Sequence, residues 1–280
     1  MLDKRLVLVS GKGGVGKSAV TSGLALLAQR RGLRVLAVAM EPGGGLATHF
    51  GAGDLGFAPR EVRPGLHAMQ MVRSEALLEY LSLQLRLPGV GRFGAVARAF
   101  DALATAAPAV REIVTIGKVL WEVKEERWDL VLVDAAPTGQ ITSYLRAPAT
   151  ISELVTTGRI SSQAAWMADT LADPEATALV LVTLAEELPT TETKEAIEWV
   201  ERSDVVPEPI VITNRVLSPV DDDAPPGVVG DMVALHESLW AEQQRWLAKL
   251  PPHLTLPYLF GLFTPGEVAA HISDELEKLA

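Results

Sequence analysis

The chain has 280 residues, with 25 Lys plus Arg against 35 Asp plus Glu, and no cysteine. Its length and 48% hydrophobic content, with 23 Gly and 18 Pro, fit one large globular domain or two small ones and exclude fibrous or disordered classes. A net charge of −10 argues against bulk electrostatic binding to nucleic acid or an anionic membrane, and the lack of Cys removes disulfides, thiolate metal sites, iron–sulfur clusters and cysteine nucleophiles.

In chain order, Arg5 to Ser10 (RLVLVS) reads as a buried strand that runs into glycines. The apolar run at the start is too short for a signal peptide, so a cytoplasmic protein is expected. Lys17 to Arg31 reads as a helix that Gly32 can end, and Leu33 to Met40 as a second strand. From about Ser74 to Arg127 only helical periodicity is visible. Leu77, Leu81 and Leu85 share one stripe, Phe93, Val96, Phe100 and Leu103 a second, and Ile113, Ile116, Leu120 and Val123 a third. Residues 74–127 are therefore expected to form a helical insertion between the second and third strands.

Further strands are expected at Leu130–Val133, Ala178–Thr183 and Pro209–Thr213, with a weaker one at Leu254–Leu256. Helices are expected over Thr191–Arg202 and between Asp231 and Leu250, where Met232, Leu235, Leu239, Trp246 and Leu250 share a face. Thr264-Pro265-Gly266-Glu267 is a helix start, and the following stripe of Val268, Ile272, Leu276 and Leu279 has an acidic opposite side. Such a helix suits packing on the sheet, since a surface membrane anchor wants a basic polar side. No run approaches the roughly 20 apolar residues of a membrane span. Strands alternating with helices predict one α/β domain over residues 1–280, a mainly parallel sheet covered on both faces.

The strongest local signal is Gly11-Lys12-Gly13-Gly14-Val15-Gly16-Lys17-Ser18, which satisfies G-x4-G-K-[ST] between a strand and a helix. Glycines let successive N–H groups turn toward an anion, and the helix that starts near Lys17 and Ala19 adds its positive end. Lys17 can reach the β- and γ-phosphates of ATP, and the Ser18 hydroxyl can ligate Mg²⁺. Asp134 ends the apolar strand Leu130–Val133, where a carboxylate can orient Mg²⁺ or its water.

Lys12 is not needed to hold phosphates within one subunit. The GKGGVGKS form resembles the deviant Walker A motif of the SIMIBI class of P-loop proteins, which includes ParA, MinD and the arsenical-pump and tail-anchored-protein-targeting ATPases. The resemblance implies a dimer in which Lys12 reaches the partner's nucleotide. Asp134-Ala135-Ala136-Pro137-Thr138-Gly139-Gln140, with Leu145-Arg146 and Pro148 downstream, is similar to switch II of the arsenical-pump and tail-anchored-targeting family. That likeness implies γ-phosphate contacts from Pro137, Thr138 and Gly139, with Gln140 standing where the family has His. Glu41-Pro42-Gly43-Gly44-Gly45-Leu46 resembles switch I, Thr183–Thr193 a strand-to-helix stretch ending in Glu-Thr, and Pro108–Glu112 a helical-domain sequence. Asn214, the chain's only Asn, and Arg215 stand where relatives read adenine, and Tyr258-Leu259-Phe260 stand where relatives pack it.

Glu41 replaces the family's aspartate, which positions the attacking water. A carboxylate displaced by about 1 Å can cost on the order of a hundredfold in rate. Three readings stay open: Glu41 acts as base by a different loop path, the chain is a slow ATPase, or it is a low-activity regulatory subunit of a sister ATPase. His49, His67, His236, His253 and His271 show no ligand spacing and read as surface or packing residues.

The resemblance further implies a homodimer or a heterodimer with a related ATPase, and a hydrophobic client or membrane-protein partner held by the insertion. Leu77, Leu81, Leu83, Leu85, Phe93 and Phe100 could line such a groove, although stripes of this kind also form ordinary helix cores. A ParA- or MinD-like positioning ATPase is the rival reading. Nucleic-acid binding and membrane insertion are not favoured.

Overall fold

The computed structural model describes residues 1–43, 45–85, 109–220 and 228–279. Eight strands form one sheet in the order β3-β4-β2-β5-β1-β6-β7-β8. The strands are β1 (Leu6–Gly11), β2 (Val35–Ala39), β3 (Arg60–Arg63), β4 (Leu66–Gln70), β5 (Leu130–Asp134), β6 (Thr177–Leu184), β7 (Ile210–Val216) and β8 (His253–Pro257). Every neighbouring pair is parallel except β3 with β4. The helices are α1 (Lys17–Arg30), α2 (Leu46–His49), α3 (Arg73–Leu85), α4 (Ala109–Lys124), α5 (Thr138–Leu154), α6 (Arg159–Ala172), α7 (Glu187–Ser203), α8 (Val228–Leu247) and α9 (Pro265–Leu279).

The β3–β4 hairpin corrects the sequence reading. It lies between β2 and the helical segment, so that segment connects the fourth and fifth strands. Pro64-Gly65 makes its turn, with Gly65 at φ +78°, a conformation that glycine adopts without strain. Both members are short, and β3 is an exposed, charged edge strand that carries no apolar run.

Strand residues alternate between two cores, which is why the central strands read as continuous apolar runs. Val7, Val9, Ala37, Leu132 and Val180 face α1 and α9, whereas Leu6, Leu8, Leu36, Val131 and Leu179 face α4, α5 and α7. Helix α1 is buried along residues 19–28 and ends in the expected glycine turn. Gly32 N–H bonds Gln29 O and Leu33 N–H bonds Ala28 O, the paired bonds of a Schellman cap.

Helix α9 lies on α1 through Ala269, Ile272 and Leu276. Its start is the capping box seen in sequence: Glu267 N–H donates to Thr264 Oγ1 (3.3 Å), and Thr264 N–H donates to Glu267 Oε2 (2.7 Å). The α1–α9 approach depends on Gly23, where a Cβ would sit 2.5 Å from Ile272 Cγ2. Gly23→Ala is therefore expected to destabilise the fold by about 1–2 kcal/mol, because overpacking outweighs Ala's better helix propensity. Chemical denaturation checks this, and Ile272→Ala in the same chain should recover part of the loss. An unchanged midpoint in the single variant would refute the close-packing account.

The apolar stripe of α8 departs from expectation. Met232, Leu235 and Leu239 are exposed, and the helix is tied to β7 through Gln243, which accepts from Leu217 N–H (2.8 Å) and donates to Arg215 O (3.0 Å). Periodicity identified the helix but not its partner. Within the helical segment, Leu77 is buried and lines a cavity of about 200 Å³ with Tyr80, Trp121, Trp166 and Met167. Leu77 is thus buried while still forming part of the cavity wall. Phe93 and Phe100, and the side chains of Leu81, Leu83 and Leu85, lie outside the described residues. Among the described residues no helix is long and apolar enough to cross a membrane.

Candidate functional site: a phosphate loop between two switch segments

The chain leaves β1 for β2 on one side of the sheet, and later passes from β5 to β6 on the other. The carboxyl end of β1 is thus the topological switch point, where open α/β sheets place their ligand crevice. The residues from Gly11 to Ser18 sit there. Gly11, at φ +150°, lies so close to β6 that a Cβ would overlap Val182 O. Gly14 (φ +87°) and Gly16 (φ +99°) turn the loop into α1, and Lys17 is the first helical residue. A Cβ at Gly16 would strike the Asn214 amide at 2.4 Å, so β7 also presses on this loop.

Register brings the second carboxylate to the same height. Asp134 pairs with Val9 on one side and Ala39 on the other, two residues before Glu41. The Ser18 hydroxyl donates to Asp134 Oδ2 at 2.5 Å, and the carboxylate is only 7% exposed. Burial pushes the Asp134 carboxyl above its ordinary range, against the Ser18 hydrogen bond and the charges of Lys17 and His49. Burial likewise pushes the Lys17 ammonium down, opposed by Asp134 and Glu41. Both groups are therefore desolvated more than their mutual attraction repays. Such a pair suits ligands of higher charge, a polyphosphate on Lys17 and a divalent cation on the carboxylate. The Ser18 hydroxyl and the Asp134 carboxylate are hard oxygen donors of the kind that hold Mg²⁺ together with substrate phosphates.

The switch I segment closes over this pair. Half-buried Glu41 acts on both Lys17 and Asp134, so the structure brings it into the cluster. Gly45 packs so closely on the loop that a Cβ would sit 3.0 Å from Ser18 Cβ. His49 Nδ1 lies 2.7 Å from Gly45 O and, facing a carbonyl, must donate. His49, which the sequence places among surface or packing residues, is partly buried and near enough to Asp134 for its charge to act on that carboxyl. It sits one helical turn from Gly45, a neighbourhood that ligand spacing does not reveal.

Switch II is held from both ends. Ser10 Oγ donates to Ala136 O (2.7 Å), and Ala135 N–H bonds Val9 O (2.9 Å). Pro137 precedes α5, Thr138 opens it, and Gly139 and Gln140 are exposed on its first turn. Thr138 Oγ1 donates to Glu192 Oε2 at 3.2 Å, and Glu192 Oε1 forms an ion pair with Lys12 Nζ. Lys12 is thus engaged within its own subunit. Among the described residues, Lys17 Nζ hydrogen-bonds the Lys12 carbonyl, at 3.3 Å.

On the far side of the loop, Gly16, Ala19, Asn214, Arg215, Tyr258 and Leu259 line a cavity of about 300 Å³. Asn214 Nδ2 donates to Val15 O (2.9 Å) and its Oδ1 accepts from Arg215 N–H (3.0 Å), so the amide also braces the loop. Phe260 departs from its expected place. It does not line the cavity but packs at a tilt against Tyr258, ring centroids 4.8 Å apart, and is mostly exposed. Phe263 and His271, not singled out for this role in the sequence, do line it.

A mainly parallel sheet with this loop at its switch point, an acid ending the neighbouring strand and two loop segments packed around them define a P-loop nucleotide-binding protein. Residues 4–167 match the family model described as anion-transporting ATPase. Over 222 residues the chain is 35% identical to ATPase BagA of Mycobacterium tuberculosis, a match spanning 75% of this chain and 65% of that relative. It is 29% identical to ATPase get3 of Neurospora crassa over 162 residues, 57% of this chain and 48% of that one. With ATPase GET3 of Kluyveromyces lactis it shares 24% identity over 288 residues, 88% and 80% of the two chains. The chain belongs to the anion-transporting ATPase family, the arsenical-pump and tail-anchored-targeting group of P-loop proteins.

Proposed function

We propose that this chain hydrolyses ATP with Mg²⁺ and works in the cytoplasm as a dimeric nucleotide switch, coupling ATP binding and hydrolysis to a hydrophobic client or membrane-protein partner. The observation that carries the reading is the meeting of Lys17, Ser18, Asp134 and Glu41 at the carboxyl ends of β1, β2 and β5. The Gly11–Ser18 backbone and Lys17 would hold the phosphates, Ser18 and Asp134 the Mg²⁺, and Asn214 and Arg215 with Tyr258 and Leu259 the adenine. Mg²⁺ supplies charge neutralisation at the β- and γ-phosphate oxygens when bound.

Glu41 would accept a proton from water as the water oxygen attacks the γ-phosphorus. The bond to the β–γ bridging oxygen breaks, and ADP and phosphate leave. Thr138 and Gly139 offer backbone N–H groups at the head of α5 for the charge that develops. Gln140 can orient a water but cannot change charge near neutral pH.

Glu41→Gln is expected to lower kcat about a hundredfold with little change in ATP affinity, since an amide can orient water but not take its proton. Steady-state hydrolysis and equilibrium nucleotide binding check this. A rate unchanged in the variant removes Glu41 from the mechanism; no hydrolysis by the parent protein removes the ATPase reading. The longer Glu41 side chain and its glycine-rich loop favour one second reading, a slow ATPase that serves as the regulatory subunit of a sister chain. Co-purification of a related ATPase would select it.

A further inference from the structure

We propose that Glu192 is a positioning residue that restrains Lys12 within its own subunit, so that the lysine is released for a partner only when switch II rearranges. The inference rests on the dimeric ATPase reading and deepens it. Glu192 lies on α7, 180 residues from Lys12, and its two carboxylate oxygens serve two different machine parts. Oε1 takes the Lys12 ammonium from the phosphate loop, and Oε2 takes the Thr138 hydroxyl from the head of α5.

Lys12 and Glu192 are each about one third exposed, so the pair is neither buried beyond reach nor free in solvent. A pair of this kind contributes a modest free energy that a competing anion can overcome. The geometry links the two contacts. A lysine carries one charge, and an ammonium held by Glu192 of its own chain is engaged there. Thr138 is the residue that a bound γ-phosphate would engage at the start of α5. Movement of Thr138 removes one hydrogen bond from Glu192, loosens its carboxylate and weakens its hold on Lys12. Nucleotide state is thereby converted into availability of a cation for a neighbouring subunit.

The experiment compares Glu192→Gln with the parent protein, since the amide keeps the size and one acceptor but loses the charge. Three measurements are made: labelling of Lys12 by an amine-reactive reagent without nucleotide, Mg·ATP-dependent self-association by sedimentation, and hydrolysis rate against protein concentration. Lys12 labelling should rise about fivefold, and the concentration for half-maximal association and activity should fall about fivefold. The rate at saturating protein should stay within about twofold, the split expected of a group that restrains the resting state and is not used in chemistry.

Equal labelling, equal association midpoints, or a saturating rate down by more than about tenfold would each overturn the restraint. The last would make Glu192 a participant in the active state. A parent protein that neither associates nor hydrolyses ATP would sink the dimeric reading and the restraint with it, whereas association with equal midpoints would sink the restraint alone. The urea unfolding midpoint of both proteins guards against misreading a folding defect, and Glu192→Ala provides a second variant if the amide perturbs folding.

Discussion

Lys12→Ala is expected to abolish ATP turnover, by about a hundredfold or more, while ATP still binds within about threefold of the parent affinity. The expectation follows from what Lys12 does and does not touch. Its ammonium is turned to Glu192, and only its backbone carbonyl meets Lys17. In the proposed site, Lys17 at the start of α1 and the backbone of residues 11–18 would hold the triphosphate in cis, so removing the Lys12 side chain should take away little ground-state binding. On the proposed dimeric reading, what it would remove is a cation for the charge developing on another subunit's γ-phosphate, a contribution made in the transition state. Isothermal binding and steady-state hydrolysis on the same preparation separate the two quantities. Full activity in Lys12→Ala would end the cross-subunit role. Glu192→Gln added to Lys12→Ala should change nothing further, because the restraint has lost its object; an additive effect would mean that Glu192 acts elsewhere.

The sheet's centre was legible because its strands are buried on both faces and read as unbroken apolar runs. Leu6–Val9, Leu130–Val133 and Ala178–Val182 all lie where the cores need them. The β3–β4 hairpin was not legible, because an edge strand of Arg60, Glu61, Val62 and Arg63 has a charged surface and no apolar run. The phosphate loop was legible for a local reason: its eight residues are consecutive and lie between β1 and α1. Asp134 was legible because it ends a strand, and strand register did the rest.

Glu192 and His49 were missed for opposite reasons. Glu192 reaches Lys12 across 180 residues of sequence, through the packing of α7 beside β1, and no spacing rule encodes that contact. His49 is local, but its meaning depends on switch I folding back onto Ser18, which the glycines permit without specifying. The exposed α8 stripe shows a further limit. Hydrophobic period records that a helix has two sides, and only the tertiary structure says whether the apolar one is covered.

Asp134→Asn is expected to raise the melting temperature of the nucleotide-free protein by a few degrees at neutral pH while removing Mg²⁺-dependent hydrolysis. The sign follows from burial. The folded protein holds the Asp134 carboxyl above its ordinary range even with Lys17, Ser18 and His49 nearby, so ionising it costs the folded state more than the unfolded one. A group raised in this way stabilises fully below its unfolded pKa and loses that contribution as pH rises through the folded value. At pH 7 the carboxylate is therefore a net burden, and an amide of the same shape, still able to accept from Ser18, relieves it.

The difference in melting temperature between parent and variant should thus close as pH falls below about 4, where the parent's carboxyl is protonated in both states. Adding Mg·ATP should reverse the order at pH 7. The parent gains stability by mass action through its intact site, and the variant gains less, because it has lost the anionic oxygen that suits Mg²⁺. Thermal melts at pH 4 and pH 7, with and without Mg·ATP, measure all of this on two proteins. A variant less stable than the parent at pH 7 without nucleotide would show that the carboxylate serves the fold, and that its burial beside Lys17 is structural support, not a poised ligand site.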